Sequence, residues 1–150
     1  MALTQYTLNK LADFMLREQA FDPPATRYLG LFTVAPTRST GGTEQALAGY
    51  ARQSYASSLP NWSGTQGAGT TVASSGTADY ISNNVTVTFH AALTVAWPGV
   101  VGWGLFDAAA AGNLLEFGPI VDSANNPISR SFAIGDAVAL APGTLKSFYA

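Results

Sequence analysis

A chain of 150 residues, 47% hydrophobic and only 11% charged, is long enough for one domain that buries about two-thirds of its unfolded surface, yet it falls well below the usual charged fraction of about 25%. A net charge of −2, seven dispersed Lys and Arg residues and no cysteine exclude a basic nucleic-acid footprint, disulfide staples, thiolate catalysis and Cys-ligated zinc. A surface so poor in charge suits permanent contact with protein partners, although uncharged Ser, Thr, Asn and Gln can also keep a domain in solution.

Lys10, Asp13, Arg17 and Glu18 interrupt the first apolar stretch, so no signal-peptide core is expected there. In the same stretch Leu8, Leu11, Ala12, Met15 and Leu16 recur at helical spacing. Thr4 or Thr7 can cap the start and Pro23-Pro24 stops the run, which predicts a helix over residues 4–19. Residues 1–24 then form a helix and linker ahead of a β body over residues 25–150. At residues 26–34, Tyr28, Gly30, Phe32 and Val34 alternate with Arg27, Leu29, Leu31 and Thr33. Apolar residues on both sides predict a central strand buried on both faces.

Residues 35–49 are rich in Pro, Thr, Ser and Gly, with Arg38 and Glu44 the only charges, and read as a long loop. Alternation resumes at residues 50–57. A second polar loop, residues 60–79, contains four glycines and is long for a structureless connection. Residues 80–106 hold no charged side chain unless His90 is protonated, a length that raises the question of a membrane span. Thr86, Thr88, Thr94, Pro98 and three glycines argue for strands instead. Val85, Val87 and Phe89 alternate with Thr86, Thr88 and His90, a strand with one apolar and one polar face. Further short strands are expected at residues 100–106, 114–120, 128–132, 137–140 and 144–149, separated by turn residues such as Asn125-Asn126-Pro127 and Pro142-Gly143. The fold class is therefore mainly β: a single-domain β-sandwich or jelly roll of about eight strands with one N-terminal α-helix, which packs across one end or swaps onto a neighbour.

The search for chemistry returns few candidates. His90 is the only histidine, so a histidine metal cluster is impossible and any triad would have to use it; on the polar face of a strand it reads as a surface or satisfied histidine. The nine carboxylates are dispersed; two could meet as a glycosidase pair, but their spacing gives no support. Gly64, Gly67 and Gly69 lack the Lys-Ser/Thr of a phosphate loop. Asn61-Trp62-Ser63 and Asn84-Val85-Thr86 match a glycosylation triplet that recurs by chance. Trp97, Trp103, Phe106 and Phe117 can be read as a sugar-stacking platform or as core, with core the commoner fate of strand aromatics; Trp62, in its polar loop, is the expected exception. No catalytic residue, metal ligand or cofactor is expected, and replacing His90 with alanine should leave function intact.

The series Tyr28-Leu29-Gly30-Leu31-Phe32-Thr33, Gly41-Gly42-Thr43-Glu44, Gly49-Tyr50-Ala51-Arg52, Val87-Thr88-Phe89, Trp97, Gly102-Trp103-Gly104-Leu105-Phe106-Asp107 and Gly112-Asn113-Leu114-Leu115 resembles a family of small bacteriophage virion proteins. Its members are often labelled tail fibre proteins, and related modules resemble head cement or decoration proteins of short-tailed phages. The resemblance runs from about Leu8 to the C-terminus and departs from the family pattern over residues 59–79, an enlarged loop. It implies a non-catalytic β-sandwich on the particle. The expectation drawn from it is a capsid decoration protein made in the bacterial cytoplasm, carried on the outer head surface and bridging major capsid subunits as a homodimer or homotrimer, without contact to nucleic acid or membrane. The first alternative is a tail-fibre or receptor-binding component, with tail proteins or a host receptor as partner; the second is a carbohydrate-active enzyme. The interface residues expected are Leu8, Leu11 and Met15 on the helix, Arg38 and Glu44 in the first long loop, and Trp62 in the second. Contacts of this apolar and hydroxyl character should survive high salt.

Overall fold

The computed structural model describes residues 2–22 and 24–148. Among these residues the fold is mainly β with one helix, as expected, but it has twelve strands rather than about eight. A short strand β1 (Ala2–Leu3) leads into helix α1 (Gln5–Arg17). Strand β2 (Thr26–Val34) coincides with its predicted span. It is followed by β3 (Thr43–Glu44), β4 (Gln53–Ala56), β5 (Tyr80–Ser82), β6 (Val87–His90), β7 (Trp97–Val100) and β8 (Gly102–Phe106). The chain ends with β9 (Leu114–Pro119), β10 (Arg130–Phe132), β11 (Val138–Leu140) and β12 (Lys146–Phe148).

The helix starts where Thr4 caps it, its hydroxyl accepting from the Thr7 N–H at 3.3 Å, which satisfies one of the free N–H groups of the first turn. It stops two residues short of the prediction because Glu18 turns left-handed and donates its N–H to the Asp13 carbonyl, closing the last turn before the Pro-rich stretch is reached. Of that stretch, Pro23 lies outside the described residues, as does Tyr149 at the end of the last predicted strand.

The main sheet runs β1-β9-β8-β2-β3, with β4 pairing the other end of the same β2 edge, and every pairing is antiparallel. β2 is therefore central: β8 occupies one edge, β3 and β4 share the other, and Leu29, Gly30, Leu31 and Phe32 are buried. Both faces are covered, which is why this strand lacks the one-sided pattern of an exposed sheet. On one face Leu29, Leu31, Trp103 and Leu105 join Val87, Phe89, Trp97, Val138, Leu140 and Leu145 in the principal core. These last residues come from β6, β7, β11 and the turn before β12, which form three two-stranded ribbons, β7–β10, β6–β11 and β5–β12. On the other face Phe32 and Phe106 stack at 6.0 Å. Gly104 makes this packing possible, since a Cβ there would lie 2.7 Å from the Phe32 ring and 2.6 Å from Leu114 Cδ1.

Candidate functional site

The helix is tied to the sheet at its first turn and nowhere as firmly beyond it. Thr4 and Thr7 donate their hydroxyls to the Leu114 and Leu115 carbonyls, each at 2.7 Å, and the Gln5 N–H bonds the Arg38 carbonyl at 3.0 Å. Leu8 and Leu11 are half-buried. Past them the apolar residues of the helix are mostly uncovered: Phe14 is 55% exposed, Met15 69% and Leu16 82%. Met15, expected at an interface, is therefore available for contact, and Leu11 covers less area than a core leucine. These three exposed large apolar side chains are consecutive at the helix end, and exposed apolar patches mark contact sites.

Glu44 and Trp62, also expected at an interface, are part-exposed and engaged within the fold. Glu44 and Arg52 form a two-pronged ion pair, with Nε to Oε1 and Nη2 to Oε2 both at 2.8 Å, and the Tyr50 hydroxyl donates to Glu44 Oε1 at 2.6 Å. The Arg52 side chain is only 9% exposed; it lies 3.3 Å over the Phe106 ring and donates to the Ala108 and Ala111 carbonyls. Burial pushes the Glu44 carboxyl up, but the Arg52 and Tyr50 hydrogen bonds and the Arg52 charge outweigh it, and the net shift is downward. Burial and the bond to Glu44 hold the Tyr50 phenol far above its ordinary value. Trp62 is half-buried against the principal core, edge-on to Tyr55 at 5.1 Å and 6.5 Å from Trp103. Its polar neighbours in sequence suggested an outward loop anchor; a backbone bridge to Asn83 turns it inward. Arg38 stays exposed. The structure thus separates the six expected residues: the three on the helix share one element, whereas Glu44 and Trp62 stabilise the body.

Trp97, Trp103 and Phe106 are core, as the strand reading favoured, while Phe117 is half-buried. His90 is half-buried, edge-on to Trp97 at 6.4 Å, and its Nδ1 accepts the Ala92 N–H. No cluster of three or more metal-ligating side chains occurs among the described residues. No helix among them is long and apolar enough to cross a membrane.

One residue the sequence did not single out is Glu116 of β9. Opposite Leu105 in the register, it shares a face with that core leucine and so points into the body. It lines a cavity of about 190 Å³ with Arg27, Trp62, Ile81, Leu105 and Ser147. Burial pushes its carboxyl up, opposed in part by the nearby Ser147 hydroxyl and the Arg27 charge. The hydroxyl is a neighbour rather than a bonded partner, since neither Ser147 Oγ nor Glu116 Oε1 has a hydrogen bond among the described residues. A carboxyl whose folded pKa lies above its unfolded one costs stability wherever it would otherwise be ionised. The cost is absent below the unfolded value and grows as pH rises toward the folded one. Glu116→Gln should therefore melt higher than the parent at neutral pH and lose that advantage in acid. A lower melting temperature at neutral pH would show that the carboxylate is well solvated or paired.

No curated protein matches the chain. The family described as Podophage GP4 fiber I protein gp80 matches residues 2–147, and with nearly its whole length covered the chain belongs to that family of short-tailed phage virion proteins.

Proposed function

We propose that the protein is a structural subunit of the fibre apparatus of a short-tailed phage, working by protein contact and not by catalysis. The observation that carries this reading is the family match over residues 2–147, whose description names a fibre protein. That description favours the tail-fibre alternative over the head-decoration role expected first. The geometry is compatible with it. The charged groups best placed for chemistry are spent on the fold, Glu44 on Arg52 and the His90 ring on Trp97. The exposed helix end offers an apolar contact in the way a subunit of a larger assembly does.

Locating the protein on intact particles, by a density map or by gold-labelled antibody, tests the reading. Density at the tail or its fibres is expected. Density confined to the head surface would return the assignment to capsid decoration. The contact itself is tested by the pair Met15→Asp and Leu16→Asp. Both side chains are already mostly exposed, so the isolated variant should melt within about 1 kcal/mol of the parent. It should nevertheless fail to enter particles. Normal incorporation would move the contact elsewhere on the surface.

A further inference from the structure

We propose that the apolar groove beside the start of α1 seats the exposed helix end of a second copy, and that two copies pair about a two-fold axis, each filling the other's groove. Pro36, Val101, Phe117, Pro119 and Ile128 line the groove, which measures about 470 Å³. It opens next to the helix start, because Phe117 pairs with Ala2 of β1 and the Arg38 carbonyl, two residues past Pro36, accepts the Gln5 N–H. The helix rises about 1.5 Å per residue, so its exposed end stands roughly 15–20 Å from that start. Phe14 and Met15 continue the helix stripe of Thr7 and Leu11 past the point where the sheet covers it. Among the described residues, the chain leaves this end mostly uncovered and leaves the groove open, and both are apolar.

Room, area and charge all point to a second copy. A cavity of ~150 Å³ accommodates a benzene ring, so the groove has space for more than one large side chain. Fully covering side chains of this class removes roughly 150–200 Å² each from water. At the exposures of Phe14, Met15 and Leu16, the three leave roughly 350 Å² open. One helix end in one groove, counting both surfaces, then buries roughly 700 Å², no more than a crystal-packing contact. Two such contacts bury roughly 1,400 Å², the size of a stable specific interface. A two-fold axis supplies both at once, because what one copy does to its partner the partner does in return. The two helices then run antiparallel, which brings Glu18, at the helix end, toward Arg38, at the helix start of the second copy. Neither charge has an ion-pair partner of its own among the described residues, so the pairing joins free opposite charges. The inference rests on the helix end being a contact of an assembling subunit, and it names the partner.

Sedimentation of the purified full chain is expected to show a dimer that dissociates on dilution. Met15→Asp with Leu16→Asp should weaken it about a hundredfold or more, equivalent to about 2.8 kcal/mol. Ala35→Trp, which fills the groove from an exposed position, should do the same, with thermal melting showing that both variants remain folded. Arg38→Glu should weaken the dimer, and Glu18→Arg in the same chain should restore it. Because the chain contains no cysteine, a mixture of Leu16→Cys and Ala35→Cys proteins reads the contact directly. Disulfide-linked pairs of one variant with the other should outnumber pairs of either with itself. A monomer at every concentration, a ring of three or more copies, or a dimer left unchanged by both the helix-end and the groove variants overturns the proposal. The fibre assignment is read on particles, and a monomer that still enters the fibres would leave it standing.

Discussion

Arg52→Ala is expected to lower stability by about 3 to 5 kcal/mol, the range for removing one partner of a buried ion pair. The substitution strips Glu44 of both prongs of its salt bridge and leaves the Ala108 and Ala111 carbonyls without their donor. It also uncovers the Phe106 face on which the guanidinium rests. Exposed pairs seldom reach 1 kcal/mol; this one differs because the arginine side chain is 9% exposed and its fork makes four hydrogen bonds. Arg52→Lys should recover only part of the loss, since an ammonium cannot supply the planar, two-pronged geometry. Urea unfolding measures both. A loss below about 1 kcal/mol for the alanine variant would place the pair with ordinary surface bridges. The pH dependence has a definite sign. Glu44 has a folded pKa below its ordinary value, so its contribution is present above the ordinary carboxylate range and disappears as pH falls through the lowered value. Arg52→Ala should flatten that acid limb.

Asn83→Ala should cost about 2 to 4 kcal/mol, although asparagine is commonly a surface residue. Asn83 is 1% exposed, and its amide group donates to the Val85 and Ala141 carbonyls at 2.9 and 3.0 Å and accepts the Leu145 N–H at 2.9 Å. One side chain thereby fastens the end of β5 to the turn that leads into β12, and its backbone carbonyl adds a bond from the Gly143 N–H. Alanine leaves the buried Leu145 N–H without its acceptor and the part-buried Val85 carbonyl without this donor, at about 1–3 kcal/mol for each unpaired group; the Ala141 carbonyl keeps the Thr144 N–H and hydroxyl. Asn83→Asp provides the control: it keeps the acceptor for Leu145 and turns both donations into contacts between a carboxylate and carbonyls. Chemical denaturation of the two variants reads the effect; a loss under about 1 kcal/mol in Asn83→Ala would mean that water replaces the amide.

These two residues mark where sequence reading stops. The span of β2 is visible in the sequence because nine consecutive residues alternate and are apolar on both sides. The end of β9 falls within one residue of its predicted place because Leu114, Leu115 and Phe117 leave little choice. By contrast, β1 and β3 are two residues long, too short to carry any period, and exist because β9 and β2 offer them an edge. β7 was hidden by Pro98, a residue that argues against a central strand. It is tolerated because β7 pairs only with β10, leaving the edge that lacks an N–H unused. Glu116 was passed over, and Trp62 was expected to point outward, for one reason. A charge between apolar residues and a tryptophan among polar ones both suggest the outside, but cross-strand register, with Leu105 opposite Glu116 and Asn83 opposite Trp62, decides the face. Register is a property of two segments and cannot be seen in either alone. The exposed end of α1 is different again: its spacing was legible in the sequence, and only the fold shows how little of it the chain covers.

The pairing of β2 with β8, and of β9 with β1, has a temporal side. Residues 26–34 find their neighbour at residues 102–106, and residues 2–3 find theirs at residues 116–117, so the central sheet joins segments separated by most of the chain. Closing such large loops comes before the contacts that reward it, and topologies of this kind fold slowly. On the ribosome, α1 and the local pairings of β2 with β3 and β4 can form as they are made. The other edge of β2, which β8 takes, must wait open until β8 has emerged. The scarcity of charge that suits the finished surface for contact is, during those seconds, a hazard, because an unpaired apolar strand invites pairing with another nascent copy.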